Sequence, residues 1–124
     1  MVRKPLILVV DDDEPILLLM RNLLREFGFE AMAANSGHAA VQTARSRTPD
    51  LILLDKNMPG MTGEEVLRAL HEHSDLREVP VLILSGEPVD PNELSRLGAT
   101  GAVQKPFDVP ALVETIRSHV SAKA

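Results

Sequence analysis

The chain has 124 residues, 44 % of them hydrophobic and 25 % charged, and a formal net charge of −5. This length and composition fit one globular domain and argue against fibrous and disordered classes. The negative balance argues against a nucleic-acid-binding surface, and the lack of cysteine excludes disulfides, thiol nucleophiles and thiolate metal sites.

The first predicted elements are a strand, a helix and a weaker strand. Leu6 to Val10 is an apolar, β-branched run that favours a strand. The run is too short for a signal peptide or a membrane span, so we expect a cytoplasmic protein. Carboxylates and a proline at 12–15 favour a helix start, and Gly28 favours its end. Helical spacing predicts one buried face on this helix, and the next strand follows at Phe29 to Ala33; the face consists of Ile16, Met20, Leu23 and Phe27.

The same alternation of strand and helix continues to the C-terminus. The later helices have start signals, and the two that begin with Thr62 and Asp90 carry an acidic residue three positions on, which predicts capping boxes. Gly98 is predicted to end the fourth helix. The remaining strands are predicted at Asp50 to Leu54, Val79 to Leu84 and Gly101 to Gln104, and the other helix caps are Ser36 (for a helix to about Arg47) and Asp108.

Five strand–helix units in succession predict an α/β fold. The three strongest strands are almost continuously apolar, which is typical of parallel strands buried on both faces. An eight-stranded barrel needs about twice this length. We therefore predict a doubly wound (βα)5 three-layer sandwich around a five-stranded parallel sheet, in a single domain spanning residues 1–124 with no output domain in this chain.

Polar residues follow the strands at the edge where ligands bind in such sheets. Two carboxylates 4 Å apart repel by about 4 kcal/mol at an effective dielectric constant near 20, so three of them at one edge predict a hard cation with oxygen ligands. Mg²⁺ is the expected ion and Mn²⁺ the alternative. An ammonium group and a hydroxyl at the same edge complete a set suited to phosphoryl transfer onto a carboxylate oxygen. The set is Asp11, Asp12, Asp55, Ser85 and Lys105.

Each of these residues also has an ordinary structural interpretation. Asp12 or Asp13 can cap the first helix, and Asp13 is the expected cap. Ser85 can belong to a loop, and Lys105 can be a surface lysine before a turn. The functional interpretation depends on their coincidence at one sheet edge, and Asp55 is the hardest to dismiss because it ends a buried run where no cap is needed.

Four segments in order resemble the receiver domains of two-component response regulators, the chemotaxis regulators among them. The resemblance covers nearly the whole chain and implies the flavodoxin-like strand order 2-1-3-4-5. It also implies that Asp55 accepts a phosphoryl group from a phosphohistidine on a histidine kinase or a histidine phosphotransfer protein. The segments are residues 7–13, 49–63, 79–85 and 98–107.

The resemblance implies roles for individual residues. Asp11, Asp12, Asp55 and the backbone carbonyl of Asn57 would hold Mg²⁺. Ser85 would be the switch hydroxyl and Lys105 would pair with the phosphoryl group. The bond before Pro106 would be cis, and Gly86 would leave the site open to phosphoryl donors. Asn57 and Glu87 would flank the phosphoryl group and orient an attacking water, which predicts a short-lived phosphoaspartate.

The chain departs from the family pattern at Ala102, where an aromatic switch residue is usual. We expect a signalling switch rather than an enzyme: it would promote only its own phosphorylation and dephosphorylation. Its expected partners are the phosphodonor and an unknown downstream protein, with a phosphorylation-dependent dimer but no direct contact with nucleic acid or membrane. The alternatives are a degenerate receiver that binds proteins independently of phosphorylation and, less favoured, a Mg²⁺-dependent phosphohydrolase with an aspartyl-phosphate intermediate.

Overall fold

Five parallel strands form one sheet in the order β2-β1-β3-β4-β5, in a computed structural model that describes residues 3–121. The three central strands are buried along their whole length, as their continuous apolar runs predict. The observed strand order is the one that the resemblance implies, so that prediction is confirmed. The strands are β1 (Leu6–Val10), β2 (Glu30–Ala34), β3 (Leu51–Asp55), β4 (Val81–Ser85) and β5 (Gly101–Gln104).

Helices cover both faces of the sheet, so the predicted doubly wound sandwich is confirmed. α1 and α5 pack on one face, and α2, α3 and α4 pack on the other. A short 3₁₀ turn at Ser74–Leu76 precedes β4. No helix within residues 3–121 has the length and apolar content needed to cross a membrane. The helices are α1 (Glu14–Glu26), α2 (Gly37–Ser46), α3 (Gly63–His71), α4 (Pro91–Leu97) and α5 (Val109–Ser121).

Side chains alternate between the two faces along each strand, and this alternation decides where the strand-end residues lie. In β3, Ile52 and Leu54 pack in the core beneath α2, α3 and α4. Leu51 and Leu53 pack in the core beneath α1 and α5. By the same alternation Asp55 continues the α1 and α5 face, whereas the next residue, Lys56, continues the α4 face.

The buried face of α1 differs from the prediction. Leu17, Met20 and Leu24 are buried, whereas Ile16 is 41 % exposed and Leu18 is 60 % exposed. Residues 16–20 are all apolar, so two adjacent stripes of the helix satisfy the helical spacing. The choice between them is made by packing against the sheet, which the spacing does not contain.

The helix starts follow their local signals with one exception. Thr62 and Glu65 form the complete predicted capping box. Asp90 accepts the N–H of Glu93 at 2.8 Å, but the carboxylate of Glu93 accepts from Lys56 and does not close a second box. Gly98 ends α4 in the left-handed conformation at φ 79°, as its position predicts.

β1 and β5 have the predicted bounds, whereas the ends of β2, β3 and β4 shift by one or two residues. β4 begins at Val81 because Pro80 has no N–H to donate to a neighbouring strand, although its carbonyl accepts from Ile52 at 2.9 Å. The shift also places Asp55 and Ser85 inside the ends of their strands. Both polar residues are therefore held by the sheet itself.

Candidate functional site

Three carboxylates meet at the carboxyl ends of the neighbouring strands β1 and β3. One oxygen from each of Asp11, Asp12 and Asp55 lies within 4.8 Å of the other two. Asp11 is 4 % exposed and Asp55 is 7 % exposed, whereas Asp12 faces solvent. Among residues 3–121 this trio is the group of side chains suited to hold a metal ion.

The electrostatic environment of Asp11 disfavours its negative charge. Burial raises the pKa of Asp11 above its ordinary value, and the charges on Asp55 and Asp12 raise the pKa further. The backbone N–H of Asp13, which donates to Asp11 Oδ1 at 3.0 Å, and the cation of Lys105 oppose this shift. The ionised carboxylate of Asp11 therefore lacks full compensation from the protein.

This donor set fits a hard divalent cation. Three carboxylates and the single ammonium of Lys105 leave the pocket with a net charge of −2. Mg²⁺ favours oxygen ligands and usually keeps several waters and phosphate oxygens as further ligands. Asp11, Asp12 and Asp55 would hold it, and its charge would bring the pocket close to neutrality.

Lys105 approaches the site from the end of β5. Its Nζ lies 3.1 Å from Asp55 Oδ1, and its backbone N–H donates to the carbonyl of Ser85 at 2.7 Å. The peptide bond from Lys105 to Pro106 is cis. The structure therefore brings the ammonium group onto the predicted phosphoacceptor carboxylate.

Ser85 lies at the same sheet edge, but its hydroxyl points to its own loop. Ser85 Oγ donates to the carbonyl of Glu87 at 2.8 Å and accepts the N–H of Glu87 at 3.1 Å. The side chain is buried. To donate to a phosphoryl group on Asp55, this hydroxyl must give up its bond to the carbonyl of Glu87.

The remaining predicted residues are all exposed. Asn57 is exposed and forms an isolated bridge with Thr62. Glu87 is exposed, and a Cβ added to Gly86 would meet no atom within 4 Å, so the chain itself does not require a glycine there. Ala102 lies on β5, opposite Ile83 of β4, and is exposed.

Sequence reasoning assigned no role to Lys56, which the structure brings next to α4. Lys56 Nζ lies 3.3 Å from Glu93 Oε1. The two residues are 37 positions apart in the chain, and the local pattern around Glu93 predicts a capping box instead. No signal within either segment pairs them, because their contact depends on how α4 lies on the sheet.

Comparison with known proteins gives one family. The family model of the response regulator receiver domain matches residues 7–117 of this sequence. The polar-differentiation response regulator DivK of Brucella ovis is 33 % identical over 116 residues, which are 92 % of this chain and 94 % of that protein.

Solved structures agree with this family in sequence and fold. The chemotaxis protein CheY4 of Vibrio cholerae superposes with a TM-score of 0.88 at 32 % identity, covering 94 % of this chain and 99 % of that one. The receiver domain of a signal transduction histidine kinase from Syntrophus aciditrophicus gives a TM-score of 0.82 at 30 % identity, covering 95 % and 91 %. The resemblance noted from four sequence segments therefore extends over nearly the whole chain.

Proposed function

This chain belongs to the response regulator receiver domain family, whose members are signalling switches of two-component systems, and we propose that Asp55 is its phosphoacceptor. The observation that carries the proposal is the contact of Lys105 with Asp55 at 3.1 Å beside a trio of carboxylates. The phosphodonor would be the phosphohistidine of a histidine kinase or of a histidine phosphotransfer protein. The downstream partner would be a protein, and the location cytoplasmic.

The transfer is a displacement at phosphorus. A carboxylate oxygen of Asp55 forms the new O–P bond while the N–P bond of the phosphohistidine breaks, and its electron pair returns to the imidazole. Mg²⁺ bound by Asp11, Asp12, Asp55 and the carbonyl of Asn57 would supply charge neutralisation for the phosphoryl oxygens. Lys105 adds a cation in contact with Asp55, and the exposed position of Gly86 leaves room for the donor.

The phosphorylated state would favour a different arrangement of the loops around Asp55. The phosphoryl group carries a charge of about −1.5 to −2 and strong acceptor oxygens. The hydroxyl of Ser85 would exchange its bond to the carbonyl of Glu87 for a phosphoryl oxygen. Such a ligand can shift the equilibrium only by its difference in affinity for the two states, and about 1 to 3 kcal/mol is typical of such coupling.

Incubation with acetyl phosphate and Mg²⁺ is expected to add one phosphoryl group to the chain, because Lys105 positions the carboxylate of Asp55 and supplies a cation beside it. Intact mass spectrometry measures the adduct, and a chelator should prevent its formation. A parallel sample with Mn²⁺ tests the alternative ion. An unmodified chain in the presence of saturating Mg²⁺ would favour the phosphorylation-independent binding module, and continuous turnover of phosphate esters would favour the phosphohydrolase.

The lifetime of the phosphoaspartate gives a further prediction. Asn57 and Glu87 lie two residues beyond Asp55 and Ser85 and are exposed, so their polar side chains can orient a water for attack on phosphorus. We expect a double change of Asn57→Leu and Glu87→Leu to slow dephosphorylation by about tenfold or more, within the usual range of contributions from a group that orients or activates a reactant. The decay of the intact-mass adduct after acetyl phosphate is removed gives the rate. An unchanged rate would remove both residues from the mechanism.

A further inference from the structure

Helix α4 is weakly anchored by apolar contacts. All seven of its residues lie within the described part of the chain, and none of them is buried. Leu97, at its C-terminal end, packs partly against the core shared with α2 and α3. On the neighbouring strand β5, Ala102 and Gln104 are exposed, so α4 does not cover them. Little burial therefore opposes a displacement of α4, and polar contacts carry more weight in its placement.

An ion pair ties the N-terminal turn of α4 to the end of β3. Lys56 Nζ donates to both oxygens of Glu93, at 3.3 Å and 3.4 Å. Each side chain is only 26 % exposed, so water and salt screen the pair less than a surface pair. Glu93 also has Arg96 Nη2 at 3.8 Å from its second oxygen, which gives its carboxylate a second cation if Lys56 moves away.

Lys56 connects this pair with the phosphoacceptor. It directly follows Asp55 in the chain, and its backbone N–H donates to the carbonyl of Leu84 at 3.0 Å. Asp55 faces α1 and α5, while Lys56 lies on the face where α4 packs. One peptide unit therefore joins the backbone of the residue that would receive the phosphoryl group to the backbone of the residue whose ammonium holds α4.

The space beside the pair allows α4 to move. An open cavity of about 510 Å³ lies between α4 and the segment from β3 into α3. Both partners of the ion pair line this cavity, and so does Glu64 on α3. A change in the contact between Lys56 and Glu93 would therefore allow α4 to move relative to α3, at the cost of the partial packing of Leu97 against the core.

We propose that Lys56 is a positioning residue that couples the charge on Asp55 to the position of α4. The inference rests on the proposed function of Asp55. A phosphoryl group of about −1.5 to −2 charge would replace a carboxylate of single charge and compete with Glu93 for the Lys56 ammonium. When Lys56 turns toward the phosphoryl group, Glu93 keeps only Arg96 and α4 is released. This route requires no aromatic side chain at position 102.

The test follows the backbone amide signals of α4 by NMR in isotope-labelled full-length chain with Mg²⁺, before and after addition of acetyl phosphate. We compare the wild type with Glu93→Gln, which removes the charge of the ion pair at nearly constant shape. The matched control is Glu64→Gln, which removes a carboxylate that lines the same cavity and pairs with Arg68 at 3.4 Å.

Phosphorylation of the wild type is expected to shift the α4 signals. In Glu93→Gln the unphosphorylated chain should already give α4 signals displaced toward the phosphorylated wild type. In Glu93→Gln, phosphorylation should therefore change the ratio of the two α4 positions less than it does in the wild type. We expect the effect to be smaller by a factor of about five, which is the lower end of typical coupling. Glu64→Gln should respond like the wild type.

Intact mass measured on the same samples separates this inference from the proposed function. If the wild type gains no phosphoryl group, the proposed function is wrong and the role of Lys56 falls with it. If Glu93→Gln is phosphorylated and its α4 signals start and move as in the wild type, the role of Lys56 alone is overturned. A double exchange, Lys56→Glu with Glu93→Lys, restores an ion pair: a merely structural pair would then give the wild-type response, whereas the proposed competition predicts its loss.

Discussion

Replacing Asp55 by asparagine is expected to abolish phosphoryl transfer to the chain while the fold is retained. The amide oxygen lacks the negative charge that makes the carboxylate a nucleophile, and the side chain keeps its shape. The change also removes one of three crowded carboxylates, whose oxygens lie within 4.8 Å of one another, so we expect the Mg²⁺-free chain to unfold at the same or a higher temperature. Intact mass after acetyl phosphate and a thermal unfolding curve measure the two effects.

Asp50→Asn is the matched control for Asp55→Asn. Asp50 precedes the other end of the same strand, where its carboxylate accepts the backbone N–H of Leu6 at 2.7 Å and pairs with Arg3 at 3.0 Å. It lies outside the acidic trio, so phosphorylation of this variant should match the wild type. A phosphoryl adduct on Asp55→Asn would show that another residue accepts the group and would contradict the assignment.

Leu54→Ala is expected to cost about 2 to 5 kcal/mol of the free energy of unfolding, the usual range for removing a fully buried leucine side chain. Leu54 is fully buried, and its strand neighbours in the sheet are Val10 and Ile83, which belong to the same core cluster. The chain around Leu54 cannot collapse into the space, because the central strand holds the backbone in place. The total free energy of unfolding of such domains is about 5 to 15 kcal/mol. The midpoint of urea unfolding should therefore shift to a clearly lower urea concentration.

Leu18→Ala provides the comparison for Leu54→Ala, because the same atoms are removed from a side chain that is 60 % exposed. We expect a change within about 0.5 kcal/mol there. Equal losses for the two variants would contradict the assignment of Leu18 to the solvent face of α1. The comparison also tests the corrected face of this helix, since Leu18 lies between the buried Leu17 and Met20.

Signals carried by a few neighbouring residues were enough to predict much of the molecule. The capping box of Thr62 and Glu65, the cap at Asp13 and the stop at Gly98 lie where the sequence predicts them. The meeting of Asp11 with Asp55 was also predictable, because parallel strands bring their carboxyl ends to one edge of the sheet. These predictions need only local chemistry and one topological rule.

Other features depend on packing between distant segments. The order of the strands came from the family resemblance, since periodicity does not state which strands are neighbours. The orientation of the Ser85 hydroxyl toward Glu87 depends on the loop after β4. The acidic residue that predicts a capping box at Asp90 instead pairs with Lys56, because α4 lies close to the end of β3.

The sequence by itself therefore determined the strand–helix alternation, the helix caps and the acidic edge with its lysine, because each depends on residues close in the chain or on a general rule of parallel sheets. Only the tertiary structure decided which face of α1 is buried, how near Lys105 comes to Asp55, and that Lys56 holds Glu93. These contacts join residues far apart in the chain, and their free energies depend on burial and distance, which no local pattern contains.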